Sequence, residues 1–268
     1  MSLTITPSQP TPGSSHAAPR PHSLGRRVAV GLATTALLAA LTGGTAAAAP
    51  ARAAATRPAM QATQELAVLG TSHTAHRAPN AGSPQVSQVS AHRPITGERT
   101  TLPVLTRSIG AGGVRWLQVM LPGRPDGLTG WISEKGTTEL VTPWHIVVDL
   151  GARRVSVYEN GRRARSFPAV VGKPSTPTPT GAFFVEEVVQ MASSEPGAPF
   201  ALALSARSNV FQEFEGGPGQ IGIHGRNNLG GTLGAAESHG CVRLATPSID
   251  WLAARIHPGT PVTINAGG

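Results

Sequence analysis

Asn160 and Gly161 stand between the runs 144–150 and 154–159 on one side and 165–171 on the other. Both residues tolerate positive φ, which a two-residue type I′ turn requires, so the flanking runs are predicted to pair as an antiparallel hairpin. The same kind of punctuation recurs upstream. Gly110-Ala111-Gly112-Gly113 and the stretch Pro122-Gly123-Arg124-Pro125-Asp126-Gly127 separate short apolar runs at 100–106, 114–121 and 130–133, each of strand rather than helix length. With 32 Gly, 24 Pro and few aromatics among 268 residues, the chain is expected to be mainly β, with many turns and a disordered portion.

Taken in order, residues 1–24 are polar, and Arg26-Arg27 precede an Ala-rich apolar run, 28–41, that ends near Thr45-Ala46-Ala47-Ala48-Ala49. A basic flank, an apolar stretch and a small-residue cleavage site describe a secretory signal over 1–49; an uncleaved anchor is the alternative. Residues 50–94 are Ala, Pro, Ser, Thr, Gln and His. They carry too little large apolar surface to offset the entropy of ordering, so a disordered linker is expected, with a short helix at 60–69 stopped by Gly70. Order is expected to begin near Ile95, in a small module over 95–141 anchored by Trp116 and Trp131. A larger domain over 143–266 follows, with strands at 181–189, 200–205 and 261–265. Its one short helix is expected to start at the N-cap Thr246, with Pro247 in the first turn and Trp251, Leu252 and Ile256 along one face.

The net charge of +8 invites a nucleic-acid partner, but its distribution argues against one. Seven arginines fall within 1–95 against a single acid, Glu65, leaving fifteen basic and thirteen acidic residues for the rest. No long basic run interleaves with stacking aromatics. A weak attraction of the basic tail to anionic wall polymers or lipid surfaces is the remaining expectation.

Chemistry concentrates in 221–244, which holds the chain's only cysteine, Cys241, with His239 two residues and His224 seventeen residues before it. A lone cysteine forms no internal disulfide, and in an exported chain it stands out as a reactive thiol. A thiol needs a neighbour to take its proton, and either imidazole suits. Ser238-His239-Gly240-Cys241 adds a flexible turn whose Gly240 and Cys241 N–H groups can face an oxyanion. No CxxC or HxxxH spacing suggests zinc, so no metal is expected.

An upstream His, a spacer of about a dozen residues and then Ser238-His239-Gly240-Cys241-Val242 resembles the signature of the L,D-transpeptidase catalytic family of bacterial cell-wall enzymes. A loop Pro177-Thr178-Pro179-Thr180-Gly181 ahead of a Phe-rich strand resembles the same family. The stretch 116–132, WLQVMLPGRPDGLTGWI, is similar to modules that precede such domains. One position departs: Arg243 stands where the family often has Asn.

The resemblance implies a β-rich transpeptidase domain behind a small SH3-like barrel, located outside the plasma membrane and acting as a monomer. It implies acyl transfer on peptidoglycan stem peptides, without a cofactor, that cross-links stems through a thioester on Cys241. His224 would be the proton acceptor and donor, held by the carbonyl of Gly225. His239 and Ser238 would shape the pocket, Gly240 would help hold the oxyanion, and Arg243 would meet a substrate carboxylate. Three other readings use parts of the same pattern: an L,D-carboxypeptidase that lets water take the thioester, a sortase-like transpeptidase, and a non-catalytic wall-binding protein.

Overall fold

The computed structural model describes residues 60–213 and 217–267. The expected signal segment and residues 50–59 of the expected linker lie outside the described residues. Seven strands come first: β1 (Gln64–Leu69), β2 (His73–His76), β3 (Gln85–Val89), β4 (Thr101–Ile109), β5 (Arg115–Met120), β6 (Thr129–Ser133) and β7 (Thr137–Thr142). They form one sheet in the order β3-β2-β6-β5-β4-β1-β7.

This corrects two expectations. Residues 60–94 are not a disordered linker, and 60–69 is not a helix: β1 pairs antiparallel with both β4 and β7, filling its ladder on each side. The expected module of three or four strands beginning at Ile95 therefore begins some thirty residues earlier. Composition misled because the apolar residues of this stretch are few but well placed: Leu66, Ala67, Leu69, Ala75 and Val89 are all buried. They also do not form a core alone, since Phe184 from the second half of the chain inserts among Leu69, Leu102, Val119 and Ile132. Trp116 is buried as expected, whereas Trp131 is only half-buried and Ile132 beside it takes the inward position.

The second half comprises β8 (Trp144–Asp149), β9 (Arg154–Glu159), β10 (Arg162–Pro168), β11 (Val171–Gly172), β12 (Gly181–Gln190), β13 (Phe200–Arg207), β14 (Gln220–His224), β15 (Ala236–Ser238), β16 (Val242–Arg243), α1 (Thr246–Ala253) and β17 (Pro261–Asn265). Eight of these strands make a sheet in the order β10-β9-β8-β17-β12-β13-β14-β16, and β11 pairs with β15 beside it. The turn at Asn160-Gly161 has φ of 50° and 74°, as the hairpin requires, and joins β9 to β10 in antiparallel register. Alternation along the strands sends Ile146, Val148, Val155, Val157, Phe183, Leu202, Leu204, Ile221 and Ile223 to one face. There they pack with Ile249, Leu252 and Ile256 of the α1 region. The helix starts one residue earlier than expected: Ala245 occupies the N-cap, and Thr246 lies within the helix, its hydroxyl donating to Asn227 Oδ1 at 3.1 Å.

The opposite face of the large sheet meets the small one across a buried ionic cluster. Glu186 is fully buried and pairs with Arg93 and with Arg207, whose Nη2 lies 2.9 Å from its carboxylate. Glu187 accepts hydrogen bonds from the Ile95 and Thr96 N–H groups and from the Thr96 hydroxyl. Burial holds both arginines below the usual guanidinium range. Replacing Glu186 by glutamine takes the paired carboxylate from Arg207 and leaves Arg93 only the Glu187 carboxylate, 3.7 Å away, and removing one partner of a buried pair costs about 3–5 kcal/mol. A drop of that size in urea unfolding free energy is expected; an unchanged midpoint would mean the cluster contributes nothing to joining the sheets.

Candidate active site

The strands β14 and β16 run parallel, with Ile223 opposite Val242 and His224 opposite Arg243. Because Ile221, Ile223 and Val242 turn into the core, the alternating residues Gly222, His224, Cys241 and Arg243 turn to the other face. They line one cleft of about 680 Å³ together with His239, Phe211 and Ile95. The two strands thus bring together residues far apart in the chain, such as Gly222 and Cys241.

The contacts within the cleft are specific. The Gly222 N–H donates to Cys241 Sγ at 3.4 Å. His224 Nδ1 lies 2.7 Å from the Gly225 carbonyl, which only accepts, so Nδ1 carries the proton and Nε2 is left as the basic nitrogen. The ring folds back along the strand: its Cδ2 lies 3.8 Å from where a Cβ on Gly222 would stand. Gly222 is also the residue that touches the sulfur. The Cδ2 edge of the imidazole thus lies beside Gly222, the residue whose N–H reaches the thiol. Burial pushes the His224 pKa below its ordinary value; the Gly225 hydrogen bond works against this, and the Arg243 charge adds a smaller push in the same direction as burial. At neutral pH the imidazole is neutral and able to accept a proton.

His239 sits differently. It is exposed at the rim, with its ring edge-on to Phe211 at 6.3 Å and Nε2 at 3.4 Å from Lys173 Nζ. Ser238 does not face the cleft: it is fully buried, and its hydroxyl donates to the Cys241 carbonyl and accepts from the Gly240 N–H at 3.1 Å. That contact corrects the expectation for Gly240, whose N–H is spent inside the turn and cannot serve an oxyanion. Gly240 matters through its backbone instead: its φ is +122°, and Ile221 Cδ1 lies only 3.0 Å from where a Cβ would stand, so a side chain here would be both strained and crowded. Gly225 likewise acts through its backbone, its carbonyl holding the His224 ring.

Residues that the pattern alone did not assign support this turn from behind. Thr176 Oγ1 donates to the Ser238 carbonyl at 3.1 Å and Thr178 Oγ1 to the Gly240 carbonyl at 2.7 Å. Both threonines are buried. The loop of alternating prolines and threonines therefore serves as a brace, and the regular Thr spacing between prolines is the signal that marks it. Arg243 donates from Nη1 to the Gly230 carbonyl at 2.9 Å, while its Nε is buried with no hydrogen-bond partner and no carboxylate pairs with it among the described residues.

The catalytic-domain model described as YkuD, an L,D-transpeptidase catalytic domain, matches residues 143–264. The L,D-transpeptidase named YkuD of Bacillus subtilis is 33% identical over 161 residues, covering 59% of this chain and 80% of that protein. The chain belongs to this family. L,D-transpeptidase 1 of Mycobacterium tuberculosis is 29% identical over 130 residues, 44% of this chain and 49% of that protein. Among solved structures, an L,D-transpeptidase from Mycobacterium smegmatis is similar over 62% of this chain and 99% of its own, at 20% identity and a TM-score of 0.36. The residues matched by the family model include β14, β16, the turn that carries Cys241 and the threonine brace behind it.

Proposed function

We propose that this protein is an exported peptidoglycan L,D-transpeptidase that works through a thioester on Cys241, with His224 as its base and acid. The observation that carries the mechanism is the His224 ring lying along Gly222, whose N–H reaches the Cys241 sulfur. His224 Nε2 takes the thiol proton, and the Gly222 N–H stabilises negative charge on sulfur. The thiolate attacks the carbonyl of the third stem residue, forming a C–S bond and a tetrahedral oxyanion. The Cys241 N–H is the donor left from the expected pair for that oxygen. Collapse breaks the C–N bond, and His224 returns its proton to the departing D-alanine amine. An amine of a neighbouring stem then attacks the thioester, gives its proton to His224 and releases the thiol. Arg243, with an unsatisfied Nε at the cleft, pairs with a carboxylate of the donor stem. The amino-terminal sheet is read as an SH3-like module that contacts wall polymer.

Intact-protein mass spectrometry after incubation with a carbapenem tests the acyl-enzyme. One adduct, mapped to Cys241, is expected; its absence in folded protein would count against the enzyme. Product analysis with and without an acceptor amine separates transpeptidation from carboxypeptidase action, which would release D-alanine without forming a cross-link.

A second test concerns the seat of the base. A Cβ on Gly197, which has φ of +92°, would stand 2.6 Å from His224 Nδ1. Gly197→Ala is expected to push the ring from its place and lower kcat by about 10–100-fold, since a displacement of about 1 Å costs this much. Circular dichroism should stay native. Full turnover in the variant would mean that the His224 position is not critical.

A further inference from the structure

The turn between β5 and β6 of the small sheet, residues 121–128, reaches across to the segment that joins β13 to β14. Its Arg124 spends both Nη atoms on backbone oxygens there. Nη1 donates to the Ser208 carbonyl at 2.9 Å, and Nη2 donates to the Phe211 carbonyl at 3.0 Å and to the Pro218 carbonyl at 3.4 Å. Ser208 and Phe211 follow β13 and Pro218 precedes β14, so one side chain holds both ends of the connection. Asp126, on the same turn, accepts the Arg207 N–H at 2.8 Å and fixes the last residue of β13.

The held segment is also tied at its own base. The Ser208 N–H donates to the Gly219 carbonyl at 2.8 Å, and the Ser208 hydroxyl accepts from the Val210 and Phe211 N–H groups at 3.2 and 3.0 Å. Gly219 has φ of +63° and lies so close to the Phe211 carbonyl that a side chain there would collide with it. These contacts decide where the Phe211 ring goes. Ser208, Phe211 and Gly219 all line the cysteine cleft, and the Phe211 ring is edge-on to His239, two residues before Cys241. A second segment of the amino-terminal half reaches the same cleft: Ile95, whose N–H donates to Glu187 at 3.2 Å, lines it directly.

We infer that Arg124 is a positioning residue for the cleft: through the Ser208, Phe211 and Pro218 carbonyls it holds the Phe211 ring against His239 and so fixes the wall on which a substrate chain lies beside Cys241. A guanidinium suits the task, because its planar fork of N–H donors stays charged at all working pH values and can serve several fixed carbonyls at once. The small sheet is then a working part of the cleft as well as a neighbour of the large sheet. A residue that only stapled the two sheets together would change stability and leave the Phe211 ring, His239 and substrate affinity as they are.

NMR of the full chain with labelled histidines, together with steady-state kinetics on a stem peptide, separates the two roles. Phe211→Ala removes the ring beside His239 and moves the His239 Cε1–H resonance. Arg124→Met keeps the length of the apolar stem but loses the donors, and it is expected to move that resonance in the same direction while leaving the His224 resonance in place. KM should rise roughly 10-fold with kcat changed less than ~2-fold, the pattern of lost binding rather than lost chemistry. In the Phe211→Ala background Arg124→Met should add little, because the two act through one contact. Ser208→Ala, which removes the hydroxyl that accepts the Phe211 N–H, should shift the resonance and KM the same way, and it carries the test if Arg124→Met fails to fold. A less stable Arg124→Met protein with native His239 resonance and native KM would overturn the proposal, as would additive effects of Arg124→Met and Phe211→Ala or an unmoved resonance in Ser208→Ala. The KM measurement rests on the transpeptidase reading, whereas the resonance does not. A native chain that forms no carbapenem adduct, with the resonance still moved by Arg124→Met, would remove that reading and support the positioning role.

Discussion

Cys241→Ala is expected to abolish carbapenem adduct formation and to lower cross-link formation by at least ~10⁴-fold, because a covalent route has no substitute once its nucleophile is gone. The fold should survive. Cys241 is half-buried at the cleft surface, and its neighbour Val242, rather than the thiol, fills the core. The unfolding midpoint should therefore move by less than about 1 kcal/mol in free energy. This pairing of outcomes separates the readings. A non-catalytic wall-binding protein would retain its full cellular effect in the variant, whereas a transpeptidase would lose it while remaining folded. Cys241→Ser sharpens the test, since a hydroxyl keeps the size and the Gly222 contact but loses the acidity and polarisability of sulfur. It should recover little of the rate. A variant that keeps half its activity would place the chemistry elsewhere.

Much of the site was legible because its chemistry needs rare residue types. One cysteine and a nearby pair of histidines narrow the choice before any fold is known, and the Ser238-His239-Gly240-Cys241 run carries the family resemblance. Spacing alone left either histidine open, the family resemblance pointed to His224, and the sheet supplies the physical reason. His239 is nearer in sequence but points to the rim, and only the parallel register of β14 and β16 puts His224 on the same face as the thiol. The destination of the Gly240 N–H was illegible for a similar reason, since a hydroxyl two residues earlier captures it in the folded turn. The hairpin at Asn160-Gly161 was legible because a backbone preference fixes it locally. The strands within 60–94 were not. Their stability comes from partners distant in sequence, β4 and β7 as ladder neighbours and Phe184 as core, and no local composition reports such partners.

His224→Gln is expected to lower turnover by about 10²–10⁴-fold, the usual range for removing a positioned base, but the pH profile is the more discriminating measurement. Burial is the main cause of the lowered His224 pKa, and the positive charge of Arg243 adds to it. The protonated imidazole cannot accept the thiol proton, so activity should fall as pH drops through that depressed value, below the ordinary imidazole range near ~6.5. In the unfolded chain the same histidine binds its proton at the ordinary value. Its contribution to stability is therefore present above that pH and is lost as pH falls through the folded value. Arg243→Gln removes the nearby charge, which raises the His224 pKa, and the acid limb of kcat should move to higher pH. KM for the donor stem should rise in the same variant if, as proposed, the guanidinium also meets the substrate carboxylate. An acid limb that stays fixed, or moves to lower pH, would mean that a group other than His224 controls the rate, and the rim imidazole of His239 would then be the one to replace.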